Sequence, residues 1–222
     1  MITAIKLKKK QEGLLVIQDI SLAIPAGSLA CIVGPSGCGK STLLKMIAKI
    51  DTPDSGILKI QACVAAFMFQ EDRLIPWSST LENISLVGKD PSRARKLLES
   101  VGLKGFESAF PHELSGGMRR RCAFARALNF EAPLLLLDEP FGSLDFGLRQ
   151  EMTQLLKTYH SQYKKTTILV THDVDEAMEL ADIIIVLSKR PTVVLETIQI
   201  CRSSKWDRKT TKERIIKRLR EE

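Results

Sequence analysis

The stretch Gly34-Pro35-Ser36-Gly37-Cys38-Gly39-Lys40-Ser41-Thr42 constrains this chain more than any other. It fits G-x-x-x-x-G-K-[ST], a phosphate-binding loop when a strand precedes it and a helix follows. The flanks meet both conditions. Leu29-Ala30-Cys31-Ile32-Val33 is an apolar run of buried-strand type, and Leu43, Leu44, Met46 and Ile47 recur at helical spacing. The residue types suit the chemistry. Glycines let backbone N–H groups close around phosphate oxygens, and the positive end of the next helix dipole faces the anion. Lys40 is expected to reach the β- and γ-phosphates, and Ser41 to ligate Mg²⁺. Cys38 has two readings. The loop is electropositive and favours thiolate, whereas a side chain turned into the core would be inert.

Further apolar runs end on polar residues. Residues 63–69 lead to Gln70, 134–137 to Asp138-Glu139, and 168–170 to Thr171-His172-Asp173. Continuous rather than alternating runs predict strands covered on both faces, as in a parallel α/β sheet. Ligands of such sheets bind at the carboxyl ends of the strands. Four runs, counting Leu29–Val33, therefore deliver polar groups to one edge. Ahead of them, residues 2–24 carry strand-like runs and a turn at Pro25-Ala26-Gly27, which predicts a small N-terminal antiparallel sheet. Between Gln70 and the run at 134 the pattern changes to helices over 81–87, 92–101 and 117–128, broken by Pro91, Gly102, Gly105 and Pro111. This reads as an inserted helical lobe. Helices are also expected over 148–160 and 173–181, and the last strands over 183–187 and 193–200. In the tail, Thr210-x-x-Glu213 reads as a capping box opening a basic helix with Ile215, Ile216 and Leu219 on one stripe.

The 222 residues suffice for one domain with an inserted lobe. The longest apolar runs are too short to span a bilayer, and no signal-peptide pattern opens the sequence. Five scattered cysteines, Cys31, Cys38, Cys63, Cys122 and Cys201, read as free thiols of a reducing cytoplasm. Of the net charge of +7, residues 201–222 supply +5, nine Lys/Arg against four Asp/Glu. Such a tail is a solvated face or a contact for acidic lipid. No nucleic-acid module accompanies it, so no nucleic acid is expected as a partner.

Leu114-Ser115-Gly116-Gly117-Met118-Arg119 opens the helix over 117–128. A serine cap and a glycine turn are common and say little alone. Beside the phosphate loop, Gln70, Asp138-Glu139, Ser143-Leu144-Asp145 and His172, in this order, the chain resembles the nucleotide-binding subunit of an ATP-binding cassette transporter. Residues 69–77 and the Met118-Arg119 ending are most similar to importers of nitrate, sulfonate, taurine or thiamine-precursor type. The resemblance implies an α/β fold with a P-loop NTPase core. One domain would span 1–222, with a catalytic core of 1–70 and 129–200, the lobe at 71–128 and the basic tail at 201–222.

It also implies roles. Gly34, Pro35, Ser36, Gly37, Cys38, Gly39, Lys40, Ser41 and Thr42 would hold the ATP phosphates. Asp138, with Ser41 and Gln70, would hold Mg²⁺. Glu139 would polarise the attacking water, His172 would contact the γ-phosphate, and Gln70 would sense the membrane partner. Ser115, Gly116, Gly117 and Asp145 would close over nucleotide held by a second copy, giving an ATP-driven homodimer. The implied partners are a separate membrane permease, with Trp77 in its docking surface, and, indirectly, a substrate-binding protein. The implied place is the cytoplasmic face of the membrane. The alternative is a non-transport cassette ATPase of translation or DNA repair, but such proteins usually carry two cassettes or a long coiled-coil insertion. The sequence departs from the family in two places. Met118 stands where glutamine is usual, and no aromatic ring occurs near Gln11, where one usually stacks on adenine.

Overall fold

A strand without an exposed face needs cover on both sides. In the computed structural model, which describes residues 1–88, 90–200 and 205–220, every residue of Leu29–Val33, Leu134–Asp138, Thr166–Thr171 and Ile183–Leu187 is buried. In chain order the elements are β1 (Ile2–Gln11), β2 (Leu14–Ile24), β3 (Leu29–Val33), α1 (Lys40–Ile47), β4 (Ser55–Ile60) and β5 (Ala65–Met68). Then come α2 (Thr80–Ser85), α3 (Pro91–Ser100), α4 (Gly116–Asn129), β6 (Leu134–Asp138), α5 (Phe146–Tyr163) and β7 (Thr166–Thr171). The chain continues with α6 (Val174–Leu180), β8 (Ile183–Leu187), β9 (Thr192–Gln199) and α7 (Lys205–Arg220).

The strands form one sheet in the order β4-β1-β2-β9-β8-β3-β7-β6-β5. The stretch β8-β3-β7-β6-β5 is parallel throughout. Side chains alternate across it. Cys31, Val33, Leu135 and Leu137 face a core shared with α2 to α6, while Ala30, Ile32, Leu134 and Leu136 face α1 and the β1–β2 layer. The β1–β2 turn is tight. Glu12 and Gly13 both have positive φ, +50° and +82°, as primed hairpin turns require.

The helices of the lobe are capped locally. Ser79 and Glu82 form a capping box at α2, Asp90 caps α3 ahead of Pro91, and Ser115 caps α4. Their apolar faces continue into the core under the sheet, where the Phe124 and Phe141 rings meet edge to face at 5.1 Å. Truncating either ring to alanine costs about 3–5 kcal/mol. The tail departs from its expected form. Thr210 lies inside α7 rather than at its start. The helix runs through it because it is packed on α6: Arg208 donates to the Met178 carbonyl, Lys212 pairs with Asp175, and Ile215 is fully buried. Tertiary contacts override the local capping signal.

Candidate active site

The phosphate loop joins β3 to α1. Gly37 and Gly39 sit at φ +74° and +109°, where side chains are strained. A Cβ at Gly39 would meet Val16 Cγ1 at 2.9 Å, so β2 supports the loop from beneath. Gly39 is the N-cap of α1 and gives no side-chain cap, which leaves the first N–H groups of the helix free of one. Lys40, 4% exposed, folds back so that Nζ donates to the carbonyls of Gly34 and Pro35, both at 2.8 Å. Cys38 is turned inward and 2% exposed, in the core against the β1–β2 layer. Burial pushes its thiol up from the ordinary value against the pull of Lys40. Of its two readings, the side chain turned into the core is the one the structure shows.

Residues at the ends of β5 and β6 wall the loop. Gln70 and Glu139 line a cavity of about 210 Å³ together with Ser36, Gly37, Lys40 and Ser41. Asp138 is 2% exposed, and burial raises its carboxyl while the Ser41 hydroxyl opposes the rise. Its Oδ1 is buried without a hydrogen-bond partner. An orphaned carboxylate oxygen beside the Ser41 hydroxyl, with Gln70 lining the same cavity as Ser41, offers oxygen donors that suit a hard divalent cation. Glu139 has φ +47°, a left-handed conformation unusual for a residue with a side chain. Its N–H donates to the Val170 carbonyl at 2.9 Å. Its Oε2 lies 3.6 Å from His172 Nδ1, which follows β7 and is more than half exposed.

Two hydrogen-bonded turns fix the loop around His172. Thr171 Oγ1 donates to Glu176 Oε2 at 2.6 Å and accepts from the Asp173 N–H at 3.0 Å. Asp173 caps α6 and pairs with Arg149 of α5 at 3.0 Å. Glu176 is buried, and desolvation raises its carboxyl to about 7.

The signature residues stand apart from this cavity. Ser115 Oγ accepts from the Met118 N–H at 3.2 Å. Gly116 lines a second hollow with Glu71, Gly142 and Ser143, which Gln70 and Glu139 also line. A Cβ on Gly117 would touch Leu144 Cδ2 at 3.4 Å, and Asp145 caps α5 through the Leu148 N–H. Neither Ser115, Gly116, Gly117 nor Asp145 lines the phosphate-loop cavity of its own chain. Gln11 ends β1 in a neighbouring hollow with Lys10, Leu14, Val16 and Asp51. Arg190 lines that hollow and the phosphate-loop cavity alike. The sequence reading passed over Arg190 and the buried Arg120, which reaches the backbone of both Gln70 and Glu139. For Arg120 a signal existed: it shares a helical face with Ala123, Phe124 and Ala127, all buried.

Known proteins resemble this chain in sequence and fold. Residues 17–142 match the family model described as ABC transporter. An aliphatic sulfonates import ATP-binding protein of Agrobacterium fabrum (strain C58 / ATCC 33970) is 43% identical over 200 residues, 86% of this chain and 77% of that protein. A taurine import ATP-binding protein of Yersinia pestis bv. Antiqua (strain Antiqua) is 40% identical over 204 residues, 85% and 80% of the two chains. A dimeric ATP-binding cassette solved in a post-hydrolysis state with ADP and Pi superposes with a TM-score of 0.81 at 30% identity, covering 90% of this chain and 99% of that one. With the matched residues running from β2 through the phosphate loop, the lobe and β6 to Gly142, the chain belongs to the ABC transporter family.

Proposed function

We propose that this protein is the ATP-hydrolysing subunit of an importer and drives a separate membrane permease. The observation that carries the reading is the convergence of Lys40, Ser41, Gln70 and Glu139 on one cavity, with the orphaned Asp138 Oδ1 beneath it. The loop N–H groups and Lys40 bind the triphosphate, and Ser41, Asp138 and Gln70 would hold Mg²⁺. The cation would neutralise charge on the β- and γ-phosphate oxygens. Glu139 accepts a hydrogen bond from water and aims its oxygen at the γ-phosphorus, in line with the leaving ADP oxygen. His172 contacts the γ-phosphate. Phosphoryl transfer is mostly positioning and charge neutralisation, and these groups supply both.

The signature residues complete the site of a second copy, so two chains bury two ATP head to tail. The dimeric relative supports that assembly. The core is 1–70 and 129–200, and the helical lobe at 71–128 docks the permease through residues 71–77, where Trp77 is 79% exposed. No described helix is long and apolar enough to cross a membrane. The protein then works at the cytoplasmic face, and a substrate-binding protein delivers solute from the other side. The names of the sulfonate and taurine relatives make a small organic sulfonate the first solute to test.

The experiment is reconstitution with the permease in vesicles. Glu139→Gln is expected to retain Mg-ATP binding, to dimerise on ATP by light scattering, and to lose at least about 100-fold in turnover, the range of a positioned general base. Near-normal turnover would remove Glu139 from its role. A variant that stays monomeric at saturating Mg-ATP would remove the composite site.

A further inference from the structure

Arg120 is a buried guanidinium, 4% exposed, on the signature helix α4. It touches two loops that arrive from different strands. Nη1 donates to the carbonyls of Phe69 and Gln70 at 2.8 and 2.7 Å, and lies 3.3 Å from Asp72 Oδ1. Nη2 donates to the carbonyls of Asp138 and Glu139, both at 2.7 Å, and Nε to that of Pro140 at 3.1 Å. Five backbone oxygens are thus gathered around one planar fork of donors.

The contacts at 138–140 surround the left-handed residue Glu139. A non-glycine residue at positive φ costs on the order of 1–3 kcal/mol and persists only where its surroundings over-determine it. Three consecutive carbonyls held by one rigid group, with the Glu139 N–H fixed on Val170, meet that condition. On the other side, α4 holds the loop after β5 a second time. Arg126 donates to the carbonyls of Asp72 and Arg73, both at 2.9 Å. Arg126 has no such bond to 138–140, so Arg120 alone of the two connects α4 to both loops.

We propose that Arg120 is a positioning residue: it holds Glu139 in its left-handed backbone and locks it to the Gln70 loop and to α4. The consequence, given the roles proposed above for Glu139 and Gln70, is that a shift of the helical lobe reaches the hydrolytic carboxylate through one side chain. A permease docked on residues 71–77 would act on hydrolysis by this route.

The test compares Arg120→Lys, Arg120→Met and Arg126→Lys in the full-length protein, with and without reconstituted permease. A lysine keeps the charge, but its single ammonium cannot span both loops. Both Arg120 variants are expected to bind Mg-ATP within threefold of wild type, to lose at least tenfold in kcat with KM little changed, and to lose permease stimulation. Arg126→Lys is expected to keep basal kcat. Folding is followed by circular dichroism, and if Arg120→Met does not fold, Arg120→Lys carries the test. Wild-type kcat and stimulation in a folded Arg120 variant would overturn the proposal. So would equal losses in the Arg120 and Arg126 variants, the mark of a merely structural effect. Glu139→Gln is run alongside. If it remains active, the role of Glu139 fails; if it is inactive while the Arg120 variants work, only the positioning role fails.

Discussion

The helices α1 and α4 both start beside glycines, and their first turns are finished differently. At α1 the cap is Gly39, no side chain takes a helix N–H, and the lysine that follows is drawn back over the loop. At α4 the cap is Ser115, whose hydroxyl already accepts from Met118. The first start is enclosed by Gln70 and Glu139 of its own chain. The second opens on a hollow that holds no phosphate-loop residue. One start is closed over within its own chain and the other is left open, as the head-to-tail pair of identical chains proposed above would require of a cradle and a lid.

The difference can be broken most directly at Lys40. Lys40→Ala removes a charged donor from the finished half, and hydrogen bonds to charged groups contribute about 1.5–3 kcal/mol. Mg-ATP affinity of the monomer, measured by titration calorimetry, is expected to fall about 10- to 100-fold. A loss below twofold would mean that the α1 start binds phosphate no better than the α4 start.

Much of this contrast was legible beforehand. The phosphate loop was readable because G-x-x-x-x-G-K-S sits between a continuous apolar run and a 3.6-residue period, and only a strand, a turn and a helix satisfy all three. The parallel core was readable because β3, β6 and β7 lack polar alternation. The orientation of Cys38 was not readable. Its direction depends on how the loop folds over Leu187 and Gly34, with Sγ 3.1 Å from where a Gly34 Cβ would stand. Arg119, Arg120 and Arg121 look alike in sequence, and only helix phase and the loops from two other strands single out the middle one. The capping box at Thr210 was legible and lost to packing on α6.

A buried carboxyl lies near the same site. Glu176 lies in the core below His172, hydrogen-bonded to Thr171, with Oε1 buried and unpartnered. Burial raises its carboxyl to about 7; Asp173 and Glu139 push the same way, while the Thr171 hydroxyl and Arg149 oppose. The folded value lies above the unfolded one. The protonated group is therefore fully compatible with folding below about pH 4.5. As pH rises from there to about 7, the unfolded chain gives up a proton that the native state keeps. Stability falls by about 1.4 kcal/mol per pH unit, about 3 kcal/mol in all, and stays lost above pH 7. Glu176→Gln is expected to match wild type near pH 4.5 and to gain on it up to pH 7, read from urea unfolding. A difference that does not change with pH would rule this out.

Ser115→Ala sharpens the comparison from the other side. Losing the cap costs about 1 kcal/mol of stability. Because Ser115 is absent from the phosphate-loop cavity of its own chain, monomer affinity for Mg-ATP is expected to stay within twofold. ATP-driven dimerisation and turnover are expected to fall. An affinity loss like that of Lys40→Ala would erase the distinction between the halves.

The smallest expected effect concerns the base. The roles proposed for the phosphate-loop cavity concern phosphate, Mg²⁺ and water, and residues 1–20 contain no Phe, Tyr or Trp. The hollow beside the loop presents Gln11, Leu14, Val16 and the stem of Arg190 instead. Stacking of a base on an aromatic ring contributes on the order of 1–3 kcal/mol in nucleic-acid complexes, and aliphatic contacts keep only part of that. Binding then depends mostly on groups common to all nucleoside triphosphates. GTP is expected to bind within about tenfold of ATP, a margin of roughly 1.4 kcal/mol. Gln11→Tyr is expected to tighten ATP binding a few-fold, since the position ends β1 at the rim of the hollow. An ATP preference beyond a hundredfold in the wild-type monomer would show that the base is read by a group outside this hollow. The same preference appearing only in the dimer would assign that reading to the presented half, and the two halves would then share recognition of the base as well as of the phosphates.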